Sequence, residues 1–212
     1  MSLRYFLVLA QELSFTRAAE RIGIAQPALS GRPGLDIGAM PMATPEIPAA
    51  VAAGRIDAGI TRGEQPGHGV RRFPLRRERI GVQLASDHPL ADEIEIEIDA
   101  AAAYPVRIHD RAANPAVHDQ LKTLLRTGSR EPRFPTPALS FDVAQRDLRD
   151  RVTLSLSGEA ALSTQVAGLT WRPLRGAPAL TIYLVLAREH SPLHRRIRAA
   201  AKDLAHELGR LQ

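Results

Sequence analysis

The chain has no cysteine among its 212 residues. Disulfides, thiolate nucleophiles and cysteine-type metal centres are thereby excluded. No uninterrupted apolar stretch is long enough to span a bilayer. No secretory leader opens the chain either: Arg4 is followed by an amphipathic segment carrying Gln11 and Glu12, not by a continuous apolar core. The expectation is a soluble, cytoplasmic protein without a membrane partner. Internal repeats and low-complexity tails are missing. So are a nucleophile elbow, a phosphate-binding loop and a dinucleotide fingerprint, since Gly63, Gly67 and Gly69 have the wrong spacing. His190 and His194 stand near Glu189, but Ser191 and Pro192 open a helix between them, so the two imidazoles share no regular face. These absences predict no catalytic residue, no metal and no cofactor.

What is present is enough apolar material for a core, 44% of residues, and 16 prolines with 15 glycines that imply many short elements. The net charge of +5 permits contact with a polyanion. A GC-rich coding sequence, which yields an arginine-rich protein, explains the same charge, and composition does not separate the two.

The N-terminus has a finer pattern. Leu3, Phe6, Leu7, Ala10 and Leu13 fall on one helical face. Ser14 is placed to cap a second helix over residues 15–22, with Ala18, Ala19 and Ile22 inward. Gly23 closes it, and residues 25–30 open a third helix with Pro27 in its first turn. Gly31, Arg32, Pro33 and Gly34 then interrupt it. Pro33 disfavours the helical region for Arg32, and the glycines weaken the remainder.

Three strings in this region, Leu3-Arg4-Tyr5-Phe6, Glu12-Leu13-Ser14-Phe15-Thr16-Arg17-Ala18-Ala19-Glu20-Arg21 and Ala25-Gln26-Pro27-Ala28-Leu29-Ser30, closely resemble the N-terminus of LysR-type transcriptional regulators. Further pieces resemble the effector domain of the same family: Thr44-Pro45-Glu46, Ala53-Gly54-Arg55-Ile56-Asp57-Ala58-Gly59-Ile60, Asp87-His88-Pro89-Leu90-Ala91, Trp171-Arg172-Pro173-Leu174 and Ser191-Pro192-Leu193. The resemblance implies an α/β chain: a partial winged helix-turn-helix over residues 1–34 and a two-lobed, periplasmic-binding-protein-like effector domain. Lobe I would take residues 35–79 and 176–212, and lobe II residues 80–175. Between Ser30 and Leu35 the family would have the rest of the recognition helix, a wing, a dimerising linker helix, and the first strand and helix of the effector domain. Lobe I is therefore expected to lack that strand and helix, leaving Ile37, Val51 and Ile60 short of cover and a strand edge unpaired.

The implied partners are double-stranded DNA, with contact weakened by the truncation, a small organic anion as effector, and further copies of the chain, as in the homo-oligomers of the intact family. The matching DNA-binding groups are Thr16 and Arg17 toward phosphate, and Gln26, Pro27 and Ser30 at the start of the reading helix. A different reading also stands: residues 1–34 make no groove contact, and the chain is a non-DNA-binding sensing or interaction module left by a deletion. In effector domains of this type the ligand lies between the lobes, anchored by strand ends and helix starts. By position Thr44, Thr61 and Arg62, and then His109, Arg111 and Asn114, are the effector-binding candidates. Each has a plainer role open to it, as a helix cap or a solvated loop residue.

Periodicity and turn residues place the other elements. Strands are expected at residues 35–40, 56–61, 70–75, 80–85, 106–109, 138–141, 152–156, 169–174 and 180–187. Helices are expected at 46–53, 114–125, 142–150 and from Ser191 onward. The strand–helix–strand order at 35–61 suggests a parallel crossover. Ile94, Ile96 and Ile98 alternate with glutamates as a half-exposed strand would, whereas the resembled family has a loop and short helix there. The arginine pairs Arg71-Arg72 and Arg76-Arg77 read as a solvated strand edge.

Overall fold

The structure, a computed structural model, describes residues 42–136, 141–159, 161, 166–188, 191–192, 194–195 and 197–199. The helix-turn-helix segment, the expected strand at 35–40 and most of the expected strand at 138–141 lie outside the described residues. Two compact units are present: one runs up to Arg77 and resumes at Thr181, and the other is Glu78–Leu180.

In the first unit a 3-10 turn, Thr44–Glu46, leads into α1, Ile47–Ala52. Pro48 suits the second helical position because its missing N–H would have no partner there. Gly54 ends the helix in the left-handed region at φ 67°. The N–H groups of Gly54 and Arg55 bond back to the carbonyls of Val51 and Ala50, the paired bonds of a Schellman motif. Strand β1, Ala58–Arg62, follows. A side chain at Gly59 would collide with Ile47, so glycine is what lets α1 lie against β1. After the turn residues 63–69 come β2, Val70–Glu78, and, late in the chain, β7, Leu180–Ala187. The sheet order is β1-β7-β2, with β1 and β7 antiparallel in the register Ile60↔Leu184.

Several expectations change here. β1 begins at Ala58, not at Ile56. β2 runs through the charged stretch 76–78 with Arg76 and Glu78 buried, so of the arginines expected at a solvated edge Arg76 is not solvated, Arg72 is half-buried, and Arg71 and Arg77 are exposed. Val51 is not short of cover: it packs with Ile47, Val70 and Val185, while Ile60 is half-buried. Among the described residues β1 pairs only with β7, and that pairing is antiparallel. The partner for the expected parallel crossover lies outside the described residues.

The second unit is built on β3, Ile80–Ala85, flanked antiparallel by β5, Leu154–Gly158, and β6, Leu169–Pro173. β4, Val106–Arg107, runs parallel to β5 and completes the order β4-β5-β3-β6. A parallel pair needs a long crossover, and the chain between β4 and β5 supplies helices Pro115–Leu125 (α3) and Phe141–Arg149 (α4), after the short α2, Ile98–Ala102. α3 buries Val117, Leu121, Leu124 and Leu125, the helical spacing seen in the sequence. Every residue of β3 except Gln83 is buried, as expected of a strand covered on both faces. Ile80, Val82, Leu84, Val106, Leu125, Leu154 and Leu156 share one core, each side chain contributing about 1.5–3 kcal/mol on burial.

The isoleucine alternation is not a strand. Ile94 is 88% exposed, Ile96 makes one isolated bridge to Leu174, and Ile98 opens α2. Glu95 and Glu97 both pair with Arg175, so the alternation marks one pinned residue between two ion pairs. β4 stops at Arg107, two residues before the expected His109, and Phe141 begins α4 instead of ending a strand. Val152 is 55% exposed beside Arg151, which has a positive φ, so β5 starts only at Leu154.

His88 of the Asp87-His88-Pro89-Leu90-Ala91 string is buried in this unit. Its Nδ1 accepts the N–H of Leu90 at 3.1 Å, and its ring meets Tyr104 edge-on at 4.5 Å. Burial, then Arg151, lowers its pKa from the ordinary histidine value; Asp87 acts in the opposite direction. The fold thus prefers the neutral ring. Its stabilisation is complete above the unfolded-state pKa near 6.5 and is lost as the pH falls through that value toward the lower folded one. Urea melts between about pH 8 and 5 are expected to show the wild type weakening toward acid, and His88→Asn flattening part of that slope. Equal slopes would remove His88 as the source.

Candidate functional site

The first unit carries three of the six effector-binding candidates. Thr44 is half-buried at the first position of the 3-10 turn; the N-cap is Ala43, and no side-chain cap bond is made there or at the start of α1. The plain capping role for Thr44 is therefore not what the structure shows. Thr61 is buried at the end of β1, and its hydroxyl donates to the Gly63 carbonyl at 3.2 Å, closing the strand-end turn in which Gly63 has φ 72°. Arg62 is half-buried, and burial lowers its pKa from the ordinary arginine value. Guanidinium remains charged, so the consequence is a cation with reduced hydration, which gains more from an anion than a solvated arginine does.

The second unit carries the other three. His109 and Arg111 are exposed in the segment between β4 and α3. The His109 carbonyl is 2.9 Å from His118 Nδ1, and the two imidazoles meet edge-on at 6.3 Å. Arg111 grips Asp119 through Nε and a terminal nitrogen at 2.9 and 2.8 Å. That hydrogen bond is the first cause both of the lowered Asp119 pKa and of the raised Arg111 pKa. Asn114 is buried and caps α3, its Oδ1 accepting the Val117 N–H at 3.3 Å. The cap role left open in the sequence is thus filled by Asn114. The sequence reading had no place for Asp119 and His118, which hold Arg111 and His109. No local pattern signals them, since Asp119 lies eight residues from Arg111 and His118 nine from His109, beyond helical pair spacing.

Thr16, Arg17, Gln26, Pro27 and Ser30 lie outside the described residues. Among the described residues no group of three or more His, Asp or Glu could hold a metal ion. No helix among them is long and apolar enough to cross a membrane.

Two family models match the chain: the bacterial regulatory helix-turn-helix protein, lysR family, at residues 1–32, and the LysR substrate binding domain at residues 27–206. Among solved structures, the BenM effector binding domain with its effector benzoate is similar at a TM-score of 0.70 and 19% identity, over 81% of this chain and 79% of that one. Full-length CbnR complexed with its target DNA is similar at 0.68 and 13%, over 97% of this chain and 98% of that one. HinK, from Pseudomonas aeruginosa, is similar at 0.65 and 12%, over 96% of this chain and 97% of that one. At such identities these likenesses establish a shared α/β fold. No curated protein matches the chain. With the substrate-binding-domain model spanning residues 27–206, the chain belongs to the LysR-type transcriptional regulators, a family of regulators and not of enzymes.

Proposed function

We propose that this chain is a LysR-type regulator that senses a small organic anion, in a form shortened between its DNA-binding segment and its effector domain. The match to the substrate-binding domain over residues 27–206 carries the sensing role. The shortening is favoured by the overlap of the two family matches at residues 27–32, which leaves no intervening chain for a dimerising linker helix. In this reading lobe I is residues 35–79 and 176–212, lobe II is residues 80–175, and the protein works in the cytoplasm as a homo-oligomer. Thr16, Arg17, Gln26, Pro27 and Ser30 are its DNA-contacting groups. A second reading, a sensing module that no longer reads DNA, is favoured by Gly31, Pro33 and Gly34 where the reading helix should continue.

Thr44, Thr61 and Arg62 are the proposed anchors in the first lobe, and His109, Arg111 and Asn114 in the second. Arg62 is the strongest support for an anionic ligand, as a partly desolvated permanent cation at a strand end. Arg111 and Asn114 are the weaker members, since Asp119 and the Val117 N–H already engage them. The BenM domain holds benzoate, so benzoate leads the panel of carboxylates to be titrated calorimetrically against wild type and Thr44→Val. The substitution is expected to weaken the carboxylate that binds by about 1–2 kcal/mol, the cost of an unmade hydrogen bond to a charged group. A change in melting temperature with unaltered affinity would remove Thr44 from the site. Absence of binding by every carboxylate would remove the anion.

A further inference from the structure

A pocket in the first unit, which none of the six residues above lines, is formed by Arg71, Phe73, Leu186, Ala187, His194, Arg195 and Arg198. Two elements build it. Arg71 and Phe73 are two apart on β2 and so project on the same side of the strand. His194 and Arg195 stand four and three residues before Arg198, the helical spacings that put both on its face. That helix start is fixed by Ser191, whose Oγ accepts the His194 N–H at 3.1 Å. The Arg198 guanidinium carbon lies 5.4 Å from the centre of the Phe73 ring. A ring in that position holds the guanidinium without using up its in-plane N–H donors.

Arg71, Arg195 and Arg198 are all exposed, and among the described residues no acidic one lines the pocket. Elsewhere several exposed arginines have carboxylate partners: Arg79 with Glu159, Arg111 with Asp119, Arg151 with Asp87, Arg175 with Glu95 and Glu97. Converging like charges repel, and an oxyanion relieves that repulsion through several charge-assisted hydrogen bonds at once. We propose that this pocket binds a phosphate group. Three permanent guanidinium charges around a small opening match the several acceptor oxygens of a tetrahedral phosphate better than a planar carboxylate. The group comes either from a free phosphorylated molecule or from the backbone of bound DNA.

The test titrates the full chain with inorganic phosphate by calorimetry and with a short random-sequence duplex by fluorescence anisotropy. Wild type is compared with Arg71→Gln/Arg198→Gln and with a charge-matched control, Arg55→Gln/Arg130→Gln, whose arginines are exposed elsewhere. Saturable phosphate binding, about tenfold weaker in the pocket variant and unchanged in the control, identifies a site for the free group. A drop of the same size for duplex alone identifies the DNA backbone as the source. Equal behaviour of the two variants toward both probes overturns the proposal. So does benzoate binding that depends on Arg71 and Arg198 where phosphate does not bind. Circular dichroism checks folding; should the double variant be unfolded, Arg195→Gln, which changes one exposed side chain, gives the same readout.

Discussion

Duplexes carrying a LysR-type operator and duplexes of scrambled sequence are expected to bind the full chain equally. An intact reader binds its specific site roughly 10³–10⁷ times tighter than other DNA. The expected loss is nearly all of that ratio. Its cause is local: after Ser30 come Gly31, Arg32, Pro33 and Gly34, where a helix in the major groove needs its second and third turns. On the proposed reading, residues that would specify bases beyond Gln26 and Ser30 are missing, while Arg4, Arg17, Arg21 and Arg32 keep their charge. Binding that rests on charge releases counterions, and log K falls with log salt by about 0.9 for each phosphate neutralised. Anisotropy titrations of both duplexes across a salt series measure the ratio and the slope together. An operator preference of a hundredfold or more at physiological salt would show that the shortened helix still reads sequence.

Leu154→Ala is expected to cost about 2–5 kcal/mol, because the side chain is fully buried between β4 and β3 in the core of the second unit and its neighbours have little freedom to close the gap. Against the total stability of an ordinary domain, about 5–15 kcal/mol, this is a large fraction. Urea unfolding followed by circular dichroism is expected to show a lower midpoint with an unchanged slope. Val152→Ala, two residues earlier and 55% exposed, should stay within about 0.5 kcal/mol of wild type. Equal costs at the two positions would mean that the β5 assignment is out of register.

Much of the architecture is legible because it rests on short-range rules. The stripe of α3 repeats at helical spacing, β7 is a long apolar run, and Ser191 precedes Pro192 as a capping residue should; the structure contains all three. Family membership is equally legible, since it is carried by ungapped strings at the N-terminus. The errors cluster where a local pattern has two meanings. Alternating isoleucines and glutamates at 94–98 suit a strand, but Arg175, far along the chain, draws Glu95 and Glu97 to itself and leaves Ile94 in solvent. Arg76 suits a solvated edge beyond a strand ending at residue 75, yet β2 continues to Glu78 and the fold buries both Arg76 and Glu78. The candidate site is mixed in the same way. Asn114 before Pro115 announces a helix cap, whereas nothing near Arg111 announces that Asp119 will hold it.

The sequence by itself determined the family, the α/β class and the absence of thiol chemistry, because each depends on residue identity or on spacing within a turn or two. Tertiary structure alone decided which charges are buried, which are paired and which are left to gather. Arg79 meets Glu159, Arg107 meets Asp147 at 2.6 Å, and Arg71 converges with Arg195 and Arg198 with no carboxylate among the described residues lining their pocket. An ion pair or a like-charge cluster depends on distances set by sheet order and helix docking, and those are many-body outcomes of burying Ile80, Leu125, Leu154 and their neighbours together. Sequence separation carries no information about them until the core has closed.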